Sequence, residues 1–251
     1  MNNIYLYEDT FANLLDLIFY LLSEKIKPDN IKDENNYQPD LLSNEIKPVI
    51  KIKNKKELLT KIGWENLKLC HYAFRTNDPN KELIIYYYLL NSLKYENNTK
   101  YMRNLKCVNK TLKLAHYVSR ENHKFKGFLR FKEMENNFLY AEIEPENDIL
   151  DLLANHFKKR LSNERWLIKD QKRKKYCFYN QKKLYFLDEK DVIKLNLELS
   201  KNEKNVENLW CCFFKTIAIK ERENKKCQMN FMPKKYWKNI IEMEEEYEKD
   251  N

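Results

Sequence analysis

The chain has 251 residues, of which 43% are hydrophobic and 14% aromatic, so it can bury a sizeable core. Lysine and arginine together number 47 against 38 aspartates and glutamates, which gives a formal net charge of +9 and marks a basic protein. Only two glycines occur, Gly63 and Gly127. A P-loop and a G-x-G-x-x-G turn are therefore excluded, because each needs several glycines within a few residues.

The first half of the chain is predicted to be mostly helical after a short strand around Ile4 and Leu6. Asp9 or Thr10 can cap a helix that runs to about residue 22, because their side-chain oxygens accept the first free backbone N–H groups. The polar residues 27–48 are predicted to be a loop-like insertion. Apolar periodicity predicts further helices at residues 55–74, 80–95 and 104–123.

Residues 128–144 predict a β-hairpin. A turn at 134–137 separates residues 128–133 from residues 138–144, and the second segment alternates with period two. Pairing Met134 with Phe138 separates two sets of side chains, whereas a slip of one residue would mix them. The apolar face then holds Leu129, Phe131, Leu139, Ala141 and Ile143, and the charged face holds Arg130, Lys132, Tyr140, Glu142 and Glu144.

The sequence after this hairpin predicts a helix and further strands. Pro145 ends the strand, and Asp148 can cap a helix to about Arg160. A strand at residues 166–170 and a second hairpin, 176–179 with 184–187, are predicted next. The sequence therefore predicts a helix-rich α+β fold, in which an antiparallel sheet of hairpins is packed by several amphipathic helices, in a single compact domain over 1–251.

A long C-terminal helix is predicted from about residue 206 to 222 by a regular apolar stripe. Four of its apolar side chains are predicted to pack on the sheet: Val206, Trp210, Phe213 and Ile217. Lys220 and Glu221 continue the same face, which suits either a helix-end salt bridge or a site. A final helix is predicted from Lys234, with a solvated acidic end at residues 242–250.

The sequence shows no pattern typical of a membrane-spanning helix, a signal peptide or a metal-binding motif. The longest apolar stretch, residues 11–22, is interrupted by Asn13 and Asp16 and is shorter than the roughly 20 residues of a membrane helix. The N-terminus lacks the pattern of a signal peptide, so we expect a cytoplasmic protein with no membrane partner. Six cysteines without a C-x-x-C pair favour buried reduced thiols. No metal site and no cofactor are predicted.

The basic charge is concentrated in two segments. Residues 98–132 contain ten lysines and arginines and one glutamate, a net charge of +9. Residues 158–183 contain eleven lysines and arginines against two acids, also +9. This distribution favours a binding surface for a polyanion such as nucleic acid, and a solvated lysine-rich face is the alternative.

A polar cluster is predicted near the sheet. His156 and Arg160 lie within the apolar arc of their predicted helix, where charged groups need partners. Acid–base chemistry or phosphate binding is one hypothesis for such a cluster, and a structural ion-pair network is the other. The candidate catalytic residues are Glu142, Glu144, His156 and Asp170.

The segment Glu121-Asn-His-Lys-Phe-Lys-Gly-Phe-Leu-Arg-Phe-Lys-Glu133 resembles a bacterial family of DNA metabolism and DNA repair proteins whose own domain is otherwise uncharacterised. The resemblance extends in order over nearly the whole chain. It includes Leu139-Tyr-Ala-Glu-Ile-Glu-Pro145, Leu152-Leu-Ala-Asn-His-Phe157, Trp166-Leu-Ile-Lys-Asp170 and Phe213-Phe-Lys-Thr-Ile-Ala-Ile-Lys-Glu-Arg222. The sequence departs from that family at Lys169, where a histidine usually precedes the aspartate, so an essential histidine is not expected there.

Members of that family are typically encoded beside a radical-SAM protein, and the related domain also occurs fused ahead of a uracil-DNA glycosylase-like domain. The resemblance therefore implies a DNA repair or DNA metabolism protein that binds DNA and acts with a radical-SAM partner. The alternatives are a stand-alone enzyme acting on damaged nucleobases and a scaffold that docks an acidic protein without nucleic acid. Contacts to DNA are predicted for Arg120, His123, Lys124, Arg130, Arg160, Arg173, Lys220 and Arg222.

Overall fold

A computed structural model of the protein describes residues 2–35, 37–39, 43–52, 54–192, 198–243 and 247. By their contacts the residues group into two compact units, Met1–Ser119 and Arg120–Asn251. The single domain predicted from the sequence stays a prediction.

The first unit combines a small parallel sheet with helices. Strand β1 is central in the sheet and pairs in parallel with both β2 and β3. As predicted, Thr10 caps α1 by accepting a hydrogen bond from Asn13 N at 3.1 Å. The elements are β1 (Asn2–Tyr7), α1 (Phe11–Ser23), β2 (Asn30–Asp33), β3 (Ser43–Ile46), α2 (Lys55–Ile62), α3 (Trp64–Phe74), α4 (Lys81–Tyr95), a 3₁₀ helix (Glu96–Tyr101) and the first part of α5 (Lys106–Phe128).

Two elements of this unit differ from the sequence-based predictions. The segment 27–48, predicted as a loop, contains β2 and β3, which are too short and too polar to show a strand pattern by themselves. The predicted helix 55–74 is two helices, because Gly63 between them has φ +80° and ψ 151°. A side chain at Gly63 would be strained at this φ and would collide with the side-chain oxygen of Asn97.

The second unit is built around a five-stranded sheet in the order β4-β5-β6-β7-β8. Both predicted hairpins are confirmed, and Met134 pairs with Phe138 as the alternation required. Strands β5 and β6 are parallel, however, because α6 crosses over between them, so the sheet is mixed rather than antiparallel. Its elements are β4 (Lys132–Met134), β5 (Phe138–Ile143), α6 (Leu150–Arg160), β6 (Arg165–Asp170), β7 (Lys175–Asn180), β8 (Leu184–Asp188), α7 (Glu189–Val192), α8 (Glu203–Ile217) and α9 (Lys225–Phe231).

Both faces of the central strands are covered. On one face, the ring of Phe131 lies 5.2 Å from that of Phe157 in α6 and 6.3 Å from that of Trp166 in β6. The other face, predicted to carry charges, also holds an apolar cluster around the buried Tyr140. The charged residues of that face therefore lie beside a core rather than on an open surface. The cluster consists of Met134, Phe138, Tyr140, Leu167, Tyr176 and Val192.

The C-terminal helix α8 differs most from its prediction. It ends at Ile217 instead of residue 222, and a short 3₁₀ helix, Lys220–Arg222, follows. The four side chains predicted to pack on the sheet are between 40% and 58% exposed, so that prediction is wrong. Helical periodicity identifies an apolar face but does not identify what covers it.

Three smaller predictions also need correction. Asp148 does not cap α6 and instead forms an ion pair with Lys175 at 2.9 Å. The element beginning at Lys234 is a 3₁₀ helix that ends at Asn239. Of the six cysteines, all free thiols, only Cys70 and Cys177 are fully buried.

Candidate functional site

The four candidate catalytic residues do not form one cluster. Glu142 of β5 pairs with Lys169 of β6, and the next pair is Ile143 with Asp170. Since successive residues of a strand point to opposite faces, Glu142 and Asp170 lie on opposite faces of the sheet. The cluster predicted from the sequence is thus divided between two environments.

Glu142 lines a pocket of about 370 Å³ on the face of the sheet that carries Tyr140. Its carboxylate accepts a hydrogen bond from the Tyr140 hydroxyl at 2.5 Å and another from the Gln171 side-chain amide. Lys169 Nζ lies 3.7 Å from the same carboxylate. Burial, and then the hydrogen bond to Glu142, raise the pKa of Tyr140, so this phenol is a proton donor to Glu142 rather than an anion.

Two lysines that line this pocket are paired with carboxylates. Lys238 lines it and lies 3.6 Å from the carboxylate of Glu144, which is exposed. Lys132 lines it as well and forms an ion pair with Glu207 at 2.8 Å. The pocket can therefore bind a small polar molecule between a carboxylate, a phenol and basic side chains. Sequence reasoning identified Glu142 but missed Tyr140 and Gln171, since no local pattern distinguishes them.

Asp170 is fully buried and is paired with Arg173. Its two oxygens accept hydrogen bonds from the Arg173 backbone N–H at 3.1 Å and from a guanidinium nitrogen at 3.0 Å. Burial raises the pKa of Asp170, and the charge and hydrogen bonds of Arg173 oppose that shift. Arg173 also donates to the carbonyl oxygens of Pro145 at 3.1 Å and of Glu146. The geometry favours the structural ion-pair hypothesis for both residues, because Arg173 is directed to the turn after β5.

Glu121 holds the same turn from another side. Its buried carboxylate accepts hydrogen bonds from the backbone N–H groups of Glu146 and Asn147, both at 2.9 Å. It also accepts from the Asn147 side chain at 2.6 Å and from the Tyr236 hydroxyl at 2.9 Å. Glu121 is the one acid in the basic segment 98–132, and that isolation was the signal in the sequence for its role.

Arg130 is also held within the fold. It donates to both carboxylate oxygens of Glu242, and another of its nitrogens donates to the Gly127 carbonyl oxygen at 2.7 Å. Trp210 Nε1 donates to Glu242 at 2.9 Å. Burial disfavours the charged form of Glu242, but the hydrogen bonds from Arg130 and Trp210 outweigh this effect and hold its pKa below the usual value. Glu242, predicted to be solvated, is therefore an internal anion; residues 244–246 and 248–250 of the predicted acidic end lie outside the described residues.

His156 and Arg160 have different surroundings. The Nε2 atom of His156 is buried and has no hydrogen-bond partner in the described part of the chain. Burial lowers the pKa of His156, and the positive charges of Lys126 and Arg160 lower it further, so the ring stays neutral near pH 7. Arg160 is exposed, and its predicted inward orientation is wrong. The helix ends at this residue, where a long side chain can reach solvent.

The remaining candidate DNA contacts are accessible. Six candidates remain, namely Lys124, which is half-buried, and five exposed residues. None of the six forms an ion pair with a carboxylate of the described residues. Unpaired basic side chains are available to phosphate groups without first losing a protein partner. The exposed members of the set are Arg120, His123, Arg160, Lys220 and Arg222.

Neither a membrane-spanning helix nor a cluster of potential metal ligands occurs among the described residues. No helix there is long and apolar enough to span a bilayer. No three or more histidine, cysteine, aspartate or glutamate side chains converge as potential metal ligands within the described ranges.

A protein-family model matches most of the second half of the chain and part of the first. The model of the family described as DUF4130, a domain of unknown function, matches residues 79–242, which is more than half of the chain. No curated protein and no solved structure matches this sequence.

Proposed function

The chain belongs to the DUF4130 family, and on that premise we propose that it is a cytoplasmic DNA-binding protein of DNA repair or DNA metabolism that acts with a radical-SAM partner. One observation carries the DNA-binding part. Arg120, His123 and Arg160 of the second unit are exposed, and none of these three side chains forms an ion pair with a carboxylate of the described residues. In a folded protein with 38 acidic residues, such unpaired basic side chains are what a phosphate backbone requires.

The proposed DNA-binding surface is narrower than the sequence implied. Arg130 and Arg173 use their guanidinium groups on Glu242 and on the turn after β5. Removing either would disturb the fold before it affected phosphate contacts. Arg120 and Arg160 are the informative positions, because both side chains are exposed.

We expect Arg120→Ala and Arg160→Ala each to weaken DNA binding and to lower the slope of log K against log salt by about one, the value for one lost phosphate contact. Fluorescence anisotropy with a labelled duplex over a salt series measures both quantities. Lys201→Ala is the matched control, since it removes an exposed positive charge outside the proposed surface. Unchanged affinity and slope in both arginine variants would remove these residues from the DNA contact.

The apolar face of α8 supports a protein partner. Leu209 and Phe213 are 70% and 53% exposed, and Ile217 is 58% exposed. Contiguous apolar side chains on a protein surface commonly mark a protein–protein contact. Co-purification of the radical-SAM protein that survives nuclease treatment would support a direct partner. DNA binding absent at physiological salt together with such co-purification would favour the scaffold hypothesis.

A second candidate function is favoured by the Glu142 pocket. Its volume of about 370 Å³ lies in the range of ligand sites, and Tyr140 and Lys169 bring a proton donor and a cation to the carboxylate. This arrangement suits a stand-alone enzyme acting on damaged nucleobases with Glu142 in acid–base catalysis.

The enzyme hypothesis predicts that the purified protein converts lesion-bearing oligonucleotides, and that Glu142→Gln lowers the rate about 100-fold or more. Product analysis by denaturing gels and mass spectrometry measures this. Glu135→Gln is the matched control, because it removes an exposed carboxylate that does not line the pocket. Intact substrates with the wild-type protein would count against this function.

A further inference from the structure

A basic groove lies in the first unit and has an exposed tryptophan at its edge. It has a volume of about 870 Å³ and is formed by α3, by the 3₁₀ helix with the residues that follow it, and by the first part of α5. Its basic side chains are Lys68, Lys100, Arg103 and Lys113, and its one carboxylate is Glu65, which forms an ion pair with Lys100. The groove therefore carries excess positive charge.

Trp64 is 77% exposed, whereas Trp166 and Trp237 are almost fully buried. A large aromatic ring left in water beside several cations has no role in the core of this unit. Tyr101 is 69% exposed next to the groove, and Lys100 lies over its ring at 5.0 Å from the centroid. Exposed rings beside positive charges are the combination that binds unpaired nucleic-acid bases and their phosphates.

Hydrogen bonds of a buried side chain join two of the elements that form the groove, α3 and the 3₁₀ helix. Asn66 of α3 is fully buried, and its side-chain amide donates to the carbonyl oxygens of Ile62 at 2.7 Å and Glu96 at 2.9 Å. Its side-chain oxygen accepts from the Tyr88 hydroxyl at 2.7 Å. These bonds connect α3 to α4 and to the 3₁₀ helix. Trp64 and Lys100 are thereby presented from elements that are already joined, which lowers the ordering cost of binding.

We propose that this groove binds single-stranded nucleic acid, with Trp64 stacking on an unpaired base and Lys68, Arg103 and Lys113 contacting phosphates. A duplex hides the faces of its bases, so the exposed ring favours a single strand. The inference rests on the proposed function in requiring nucleic acid as the ligand, but it concerns a different unit and different residues.

Binding of a labelled 12-nucleotide deoxythymidine strand tests the proposal by anisotropy and by quenching of tryptophan fluorescence. We expect Trp64→Ala to weaken binding about tenfold or more and to abolish most of the quenching. Trp64→Phe retains a stacking ring and is expected to restore most of the affinity. Since Trp64 is exposed, neither change should alter thermal unfolding by circular dichroism.

One further ligand, one further variant and a control separate the contribution of charge from that of stacking. An abasic strand of the same length has the same phosphates without bases, so Trp64→Ala should leave its weaker binding unchanged. Lys68→Gln should lower the salt slope by about 0.7 for both strands, as expected for one contact to a single strand. Lys27→Gln, which neutralises an exposed lysine outside the groove, should change neither.

The outcomes distinguish this inference from the proposed function. Duplex binding that depends on Arg120, with single-strand binding unaffected by Trp64→Ala, would overturn only the groove proposal. Equal binding of a polyglutamate peptide, weakened equally by Lys68→Gln, would overturn it in favour of an acidic protein ligand. Failure of the wild-type protein to bind any nucleic acid would overturn both.

Discussion

Replacing Asp170 with alanine is expected to lower the free energy of unfolding by about 3–5 kcal/mol, because it leaves the guanidinium of Arg173 in a largely buried site without its anion. The same change also removes the acceptor of the Arg173 backbone N–H. Urea unfolding followed by tryptophan fluorescence measures the effect, since Trp166 and Trp237 are buried in the second unit.

Single and double variants test whether Asp170 and Arg173 stabilise the fold through their interaction with each other. Arg173→Ala is expected to be destabilising as well, and the double variant should cost at least about 1 kcal/mol less than the sum of the single changes. Lys172→Ala is the matched control, since Lys172 is an exposed neighbour. If Asp170 were catalytic, Asp170→Ala would instead abolish activity while stability stayed within about 0.5 kcal/mol of the wild type, and that result would contradict a structural role for Asp170.

Replacing Glu121 with alanine is expected to cost about 3–4 kcal/mol of stability, because two backbone N–H groups, an amide and a phenol lose their common acceptor. Glu121→Gln keeps one acceptor oxygen and should cost less, about 2 kcal/mol. Tyr236→Phe removes the hydroxyl that donates to Glu121 and leaves the other three donors in place, so it should cost about 1 kcal/mol.

The order of these three variants is the test, again by urea unfolding. Glu135→Ala, at an exposed glutamate of the same unit, should be close to the wild type. If Glu121→Ala were no more destabilising than Tyr236→Phe, the carboxylate would not organise the turn after β5. The Asp170 and Glu121 variants both affect the turn after β5. Arg173 donates hydrogen bonds to carbonyl oxygens of this turn, and Glu121 accepts hydrogen bonds from its N–H groups.

Local pattern was sufficient for most of the helices and strands. The cap at Thr10, the pairing of Met134 with Phe138 and the hairpin of β7 and β8 all follow from neighbouring residues. The predicted boundaries of helices were wrong where one residue interrupts a regular pattern, as Gly63 does between α2 and α3. The prediction of a loop at residues 27–48 was also wrong, because β2 and β3 form only by pairing with β1.

The site predictions depended on contacts that the sequence does not display. Arg130 meets Glu242 across 112 positions, and Glu121 meets Tyr236 across 115. Sequence reasoning could identify charged residues in a basic segment, but it could not separate Arg130 and Arg173, which are held by internal acceptors, from Arg120 and Arg160, which remain exposed. It also could not show that Glu142 and Asp170 face opposite sides of the sheet, because that follows from the register of β5 against β6.

The sequence by itself determined the fold class, most of the elements, the hairpin register and the two basic segments, because periodicity, turn chemistry and charge are properties of neighbouring residues. Only the tertiary structure decided the parallel pairing of β5 and β6, the exposure of α8 and the groove beside Trp64. Each of those depends on which distant surface covers a residue, and burial of a side chain is set by the whole packed chain rather than by its own segment.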